Sequence, residues 1–126
     1  MKNPANWFTI YVRDLARAKA FYEAVFQIPL EDLPVAGTEA RYATFPGDNS
    51  APGCRGMLCH NPQQPFIPGN SVLLYFGCDD CAIEAARAAQ HGGKVLIGKT
   101  AIGNNYGFDA VIEDSEGNRI GLYSPQ

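Results

Sequence analysis

The stretch Trp7-Phe8-Thr9-Ile10-Tyr11-Val12-Arg13-Asp14-Leu15-Ala16-Arg17-Ala18-Lys19-Ala20-Phe21-Tyr22 changes its hydrophobic period partway along. Up to Val12 it is aromatic and β-branched and alternates, with Phe8, Ile10 and Val12 on one side and Trp7, Thr9 and Tyr11 on the other, which predicts a half-buried strand. Asp14 then offers a helix N-cap. From Leu15 the apolar positions Ala18, Phe21, Tyr22, Val25 and Phe26 recur at helical spacing, while Arg13, Arg17, Lys19 and Glu23 can face water. Pro29 is expected to stop that helix.

The same signals return further along. Val72-Leu73-Leu74-Tyr75-Phe76 reads as a second apolar strand, Asp79 and Asp80 offer the next cap, and Cys81 to His91 is Ala-rich and helical until Gly92-Gly93 ends it. Displacing one half on the other by 66 residues sets Asp14 on Asp80, Trp7 on Leu73, Leu30 on Leu96 and Asp48 on Asp114. Three strand-like stretches follow each helix: Pro29 to Glu31, Arg41 to Phe45 and Arg55 to Cys59, then Lys94 to Ile97, Phe108 to Glu113 and Arg119 to Tyr123. The reading is an α+β fold of two βαβββ modules, about 5–61 and 71–125, joined by a linker at 62–70 within one domain spanning 1–126.

Composition agrees with one domain. In 126 residues, 46% hydrophobic against 18% charged can bury a core without a metal or disulfide staple. Ten basic residues against 13 acidic ones give a formal charge of −3, and with no basic cluster there is no electrostatic footprint for nucleic acid or an anionic membrane surface. The longest apolar run, Val72 to Phe76, is far short of the ~20 residues of a membrane helix, and Met1 to Ile10 lacks a secretory hydrophobic region. A cytoplasmic location is expected, with Cys54, Cys59, Cys78 and Cys81 as reduced thiols.

A single βαβββ module covers only the helix-facing side of its sheet. Pairing two modules is expected to curl the sheets into a half-barrel, whose concave side would carry Trp7, Thr9 and Tyr11, then Arg55, Met57 and Cys59, then Leu73 and Tyr75, and finally Arg119, Gly121 and Tyr123. Apolar walls with a few polar tips describe a small-molecule cavity, although the same aromatics could simply fill the space between sheets. Arg55 and Arg119 are the candidates for pairing with a ligand carboxylate or phosphate, or else are exposed strand-end cations. The loops Pro46 to Gly53 and Ile102 to Gly107 could cover the mouth, and Tyr106 in the second suits a mobile lid.

Two segments resemble the vicinal oxygen chelate superfamily, the group of glyoxalase I, bleomycin-resistance proteins and extradiol dioxygenases. They are Ile10 to Tyr22, like that family's strand, Asp-Leu turn and helix ending in Phe-Tyr, and Glu113-Asp114-Ser115-Glu116-Gly117-Asn118-Arg119-Ile120, like its Asp-x-(Asp/Glu)-Gly-Asn turn. The resemblance implies the glyoxalase/bleomycin-resistance fold and, commonly for short members, a homodimer. It also implies four positions for a divalent metal, which in family enzymes hold His, Glu or Gln. Here they fall on Trp7, Met57, Leu73 and Gly121. None offers a ligand suited to a hard cation, so no metal site is carried over and no cofactor is expected.

The leading expectation is therefore a binder or sequestering protein of bleomycin-resistance type, holding a small organic ligand through Trp7, Thr9, Tyr11, Arg55, Met57, Cys59, Tyr75, Tyr106, Arg119 and Tyr123. The alternative is a glyoxalase-like lyase or isomerase, or a dioxygenase, whose divalent metal sits on shifted ligands such as Cys59, His60 and Glu113. A third possibility is thiol chemistry at Cys59 or at Cys78-Asp79-Asp80-Cys81, a CxxC entering a helix N-terminus; the bland reading makes those thiols small packing residues. His91, at a helix C-terminus, is expected in solvent.

Overall fold

Asp14 caps helix α1 (Leu15–Phe26), its side chain accepting the N–H of Arg17 at 3.0 Å, and Asp80 caps helix α2 (Cys81–Gln90) by accepting from Ala82 at 3.1 Å. Helix α1 ends before Pro29 is reached: Gln27 turns into the left-handed region at φ 56°, and Glu23 reaches past the end of the helix to accept the N–H of Leu30 at 2.9 Å. The structure, a computed structural model, describes residues 5, 7–63, 66–69 and 72–126. Residues 64, 65 and 70 of the expected linker, residue 71 at the expected start of the second module, and residues 1–4 and 6 lie outside the described residues.

Each helix follows one strand and precedes three. The first half runs β1 (Trp7–Tyr11), α1, β2 (Glu31–Leu33), β3 (Arg41–Thr44) and β4 (Arg55–His60); the second runs β5 (Leu74–Gly77), α2, β6 (Lys94–Ala101), β7 (Phe108–Glu113) and β8 (Arg119–Ser124). Two four-stranded sheets result, in the orders β1-β4-β3-β2 and β5-β8-β7-β6, so each half is the βαβββ unit read from the sequence. The first and last strands of each half pair in parallel, β1 with β4 and β5 with β8, and the remaining pairs are antiparallel.

Boundaries differ by two or more residues in three strands. β2 starts at Glu31 rather than Pro29, because the Glu23 bond holds Leu30 against the helix end. β5 starts at Leu74, leaving Val72, 82% exposed, outside the ladder. β6 continues to Ala101, sustained by pairing with β7 through two register irregularities.

One core joins the halves. Phe21, Tyr22 and Val25 from α1, Ala85 and Ala88 from α2, and Ile10, Ala43, Leu58, Ala110, Ile112, Ile120 and Leu122 from the sheets form a single buried cluster. At the junction, the Phe8 ring of β1 lies 5.8 Å from Phe76 of β5, and Phe76 is 4.6 Å from Phe26 and 5.9 Å from Tyr22. Both helices thus cover the same side of the molecule, and the opposite face of both sheets is left open.

A polar clamp fastens the Asp114-to-Asn118 turn to the start of α1. Glu116, its side chain wholly buried, accepts the backbone N–H of Arg13 and Asp14, Nε and Nη2 of Arg17 at 2.6 and 2.8 Å, and the Ser115 hydroxyl. Asp114 accepts the Tyr22 hydroxyl at 2.7 Å and the N–H groups of Glu116 and Asn118, while the Asn118 amide donates to the Tyr11 carbonyl. These bonds place the two sequence segments that carried the family resemblance against each other.

Candidate functional site: an open aromatic sheet face

Register fixes which residues share the open face. Because Ile10, Ala43 and Leu58 point into the core, their strand neighbours point away, which yields three rows on the first sheet: Trp7 with Arg55; Thr9, Met57, Thr44 and Glu31; and Tyr11, Cys59, Tyr42 and Leu33. On the second sheet, Ile112, Ile120 and Leu122 are in the core. The open rows there are Arg119, Glu113 and Lys94; Tyr75, Gly121, Val111 and Ile97; and Gly77, Tyr123 and Asp109. Sequence alternation therefore placed Trp7, Thr9, Tyr11, Arg55, Met57, Cys59, Tyr75, Arg119 and Tyr123 on one side. It missed Tyr42, Thr44 and Leu33, whose strands β2 and β3 are too short for a visible period, and it missed Val111 and Ile97.

This face is open to solvent among the described residues. Trp7 is 43% exposed, Tyr11 40%, Tyr75 47% and Tyr123 38%, so the aromatics neither fill a gap between sheets nor line a closed cavity. Two clefts, of about 600 and 830 Å³, lie at the margins of this face, one lined by residues 46–55 with Ala5, the other by residues 32–36 and 38–42 with Leu15, including Leu33 and Tyr42 of the open rows. Of the candidate residues, Arg55 lines the first and none lines the second.

Surroundings set the character of four candidates. Arg55 is folded under the 46–54 loop, where Nη2 donates to the Phe45 carbonyl at 3.1 Å and the side chain packs beneath Gly47, while its buried Nε has no partner among the described residues. Cys59, flanked in register by Tyr11 and Tyr42, is only 4% exposed, and burial pushes its thiol above the ordinary cysteine range. Tyr106 belongs to a hydrogen-bonded turn: Ile102 N–H donates to the Gly107 carbonyl, Tyr106 N–H to the Gly103 carbonyl, and the Tyr123 hydroxyl to the Tyr106 carbonyl at 2.7 Å. Gly103, Asn104, Asn105 and Gly107 all adopt positive φ, which closes that turn tightly. Finally, burial and the neighbouring Glu84 push the Cys78 thiol up to about 12, so it is held protonated.

The resemblance implies a divalent metal at four positions, and the residues there do not fit one. Trp7 offers an indole, Met57 a thioether and Leu73 an alkyl group. Gly121 offers no side chain, and the Tyr75 ring occupies its place: a Cβ at Gly121 would meet ring carbons at 2.5 Å. The shifted set Cys59, His60 and Glu113 is not assembled. Cys59 and His60 are consecutive on β4 and so point to opposite faces, His60 Nδ1 lies 3.2 Å from the Val12 carbonyl, and Glu113 belongs to the other sheet. Among the described residues no three His, Cys, Asp or Glu side chains are gathered as a metal-binding group.

Comparison with known proteins places this architecture. The family model described as "Glyoxalase/Bleomycin resistance protein/Dioxygenase superfamily" matches residues 5–122. Two curated relatives, each named "Putative glyoxylase CFP32", from Mycobacterium bovis and Mycobacterium tuberculosis, are 32% identical over 108 residues, covering 86% of this chain. The chain spans 39% of their length. Among solved structures, a glyoxalase I mutant from Zea mays superposes with a TM-score of 0.73 at 19% identity, over 97% of this chain and 46% of that one. A glyoxalase/bleomycin resistance protein from Albidiferax ferrireducens gives 0.70 at 20% identity over 95% and 98%; identities this low establish the fold alone. TnmS3, an antibiotic binding protein from a Streptomyces species, gives 0.68 at 26% identity over 100% of this chain and 99% of its own. With a family match over nearly the whole chain and the paired βαβββ units in the structure, the protein belongs to the glyoxalase/bleomycin resistance protein/dioxygenase superfamily.

Proposed function

We propose that this protein binds a small organic molecule on the open aromatic face without a chelated metal, as a binder or sequestering protein, and that a second copy of the chain covers that face. The observation that carries the reading is the donor set at the four family positions: an indole, a thioether, an alkyl group and a glycine roofed by a tyrosine ring. Such a set favours dispersion and stacking over Lewis-acid chemistry. The whole-length match to an antibiotic binding protein supports the reading. The half-exposed Trp7, Tyr11, Tyr75 and Tyr123 on the open face support the homodimer.

Thermal-shift screening of the purified protein against a panel of metabolites and antibiotics tests this. A ligand whose stabilisation is at least halved in Trp7→Ala supports it; a panel in which every response survives Trp7→Ala removes the face from the binding site. Elemental analysis after exposure to Zn, Ni, Mn and Fe is expected to show no stoichiometric ion. About one tightly held ion per chain, lost in His60→Ala or Glu113→Ala, would instead establish the lyase or dioxygenase alternative.

A further inference from the structure

We infer that the ligand taken by this face is flat and aromatic, and that it lies against the ring of Tyr75; the inference rests on the reading of the face as a ligand site. Tyr75 and Gly121 are direct partners in the parallel β5–β8 pair. A Cβ built on Gly121 would meet Cδ2, Cε2 and Cγ of Tyr75 at 2.5, 2.7 and 2.8 Å. Three adjacent ring atoms at nearly equal distance mean that the ring lies across the strand rather than edge-on to it. One ring face therefore rests on backbone, and the other points outward from a residue that is 47% exposed.

The molecule contains the same device a second time, already completed. Phe8 and Gly56 are partners in the parallel β1–β4 pair, and a Cβ on Gly56 would meet three Phe8 ring carbons at 2.5 Å. That ring is on the core side, with Phe45 at 5.5 Å and Phe76 at 5.8 Å. Tyr75 has no aromatic ring stacked on it among the described residues. An aromatic ligand gives Tyr75 the ring neighbour that Phe45 and Phe76, tilted by 48° and 53°, give Phe8, at separations where aromatic contact adds to area burial.

The surroundings match a slab-shaped molecule. From Gly121 the row continues through Val111 to Ile97, an uncharged strip, with Arg119, Glu113 and Lys94 along one side and Tyr123 and Asp109 along the other. An apolar strip between polar margins orients a flat ring system whose substituents lie at its rim. Gly121 then acts as the positioning residue, since any side chain there displaces the Tyr75 ring.

The test uses 2-naphthoate and its fully saturated counterpart, decahydro-2-naphthoate, which share a carbon skeleton and a carboxylate and differ in flatness and π surface. Calorimetric titration of the native protein is expected to show 2-naphthoate binding about tenfold more tightly. That preference should vanish in Tyr75→Leu and in Gly121→Ala and persist in Tyr75→Phe, with thermal melts confirming that each variant is folded. The sole tryptophan, Trp7, provides one indole N–H resonance that reports independently on occupancy of the face. Equal affinity for the two probes, no binding of either up to millimolar concentration, or a preference untouched by both Tyr75→Leu and Gly121→Ala overturns the inference. The broader ligand-site reading falls separately, on the compound panel and Trp7→Ala.

Discussion

Glu116 shows how one side chain can connect parts of the chain a hundred residues apart. Burial alone would raise its carboxyl, but the Arg17 guanidinium, the Asp14 N–H and the Ser115 hydroxyl outweigh it and hold the group below the 4.5 of an ordinary glutamate. Stability from a lowered carboxyl is complete above its unfolded value and drains as pH falls through the folded one. Asp114 works in the other direction: burial outweighs its hydrogen bonds to Tyr22, Asn118 and Glu116 and raises it above 3.8, so its share is full at lower pH and is lost as pH rises. Glu116→Gln isolates the first effect. Chemical denaturation near neutrality is expected to show a loss of about 2 kcal/mol, kept moderate because Arg17 is half exposed. The gap between wild type and variant should narrow as pH falls from ~7 to ~3; a constant gap would show that the charge of Glu116 is not what matters. At Cys78, a thiol raised from 9.0 to about 12 carries roughly a thousandth of the thiolate of an unperturbed cysteine. Iodoacetamide labelling near pH 8, followed by mass spectrometry, should therefore leave Cys78 largely unmodified while Cys54 reacts; rapid labelling of Cys78 would revive thiol chemistry at the CxxC.

At the scale of elements, each half repeats a strand, a capped helix and three strands, yet the halves differ where the loops meet the site. The β7–β8 turn is held on α1 by Glu116 and Asp114, whereas the β3–β4 loop lines a cleft over Arg55, and its Asp48 accepts from Ser50 and Ala51 of the same loop. The β6–β7 turn is set by glycine geometry. Gly107 sits at φ +104°, and a Cβ there would meet the Ser124 carbonyl at 2.6 Å, so Gly107→Ala is expected to cost about 2 kcal/mol and to lower the melting temperature. Gly98, within β6, has nothing within 4 Å of an added Cβ, and Gly98→Ala should be neutral or slightly stabilising in the same melt. Equal losses for both would mean that the turn does not depend on its left-handed backbone.

For the whole molecule, two sheets share one helix-covered core, and their outer faces carry half-exposed aromatics with an uncharged strip through Tyr75, Val111 and Ile97. In the proposed reading a second copy of the chain covers this face. Sedimentation equilibrium is expected to give a species of twice the 13.7 kDa chain mass. Tyr11→Glu, which buries no charge in the single chain but places one at the covered face, should shift that species toward monomer while leaving the far-UV spectrum unchanged. A monomer at all concentrations, or a dimer indifferent to Tyr11→Glu, would show that this face is not the interface.

The sequence by itself determined the paired βαβββ units, the Asp14 cap, a second cap at Asp79 or Asp80, and the side on which nine of the ten candidate residues lie, because period, capping and alternation are local properties. The tenth, Tyr106, lies in the expected loop, where the Tyr123 hydroxyl donates to its carbonyl. The tertiary structure decided what depends on residues far apart in the chain: that both helices cover one side, that Arg55 folds under a loop, and that Cys59 is buried. It also decided that Asp114 and Glu116 serve as a clamp between modules and that the Tyr75 ring fills the space above Gly121. A glycine in a strand reads from sequence only as a missing side chain; its partner across the ladder is set by register, and register is fixed when the core residues on the other face pack.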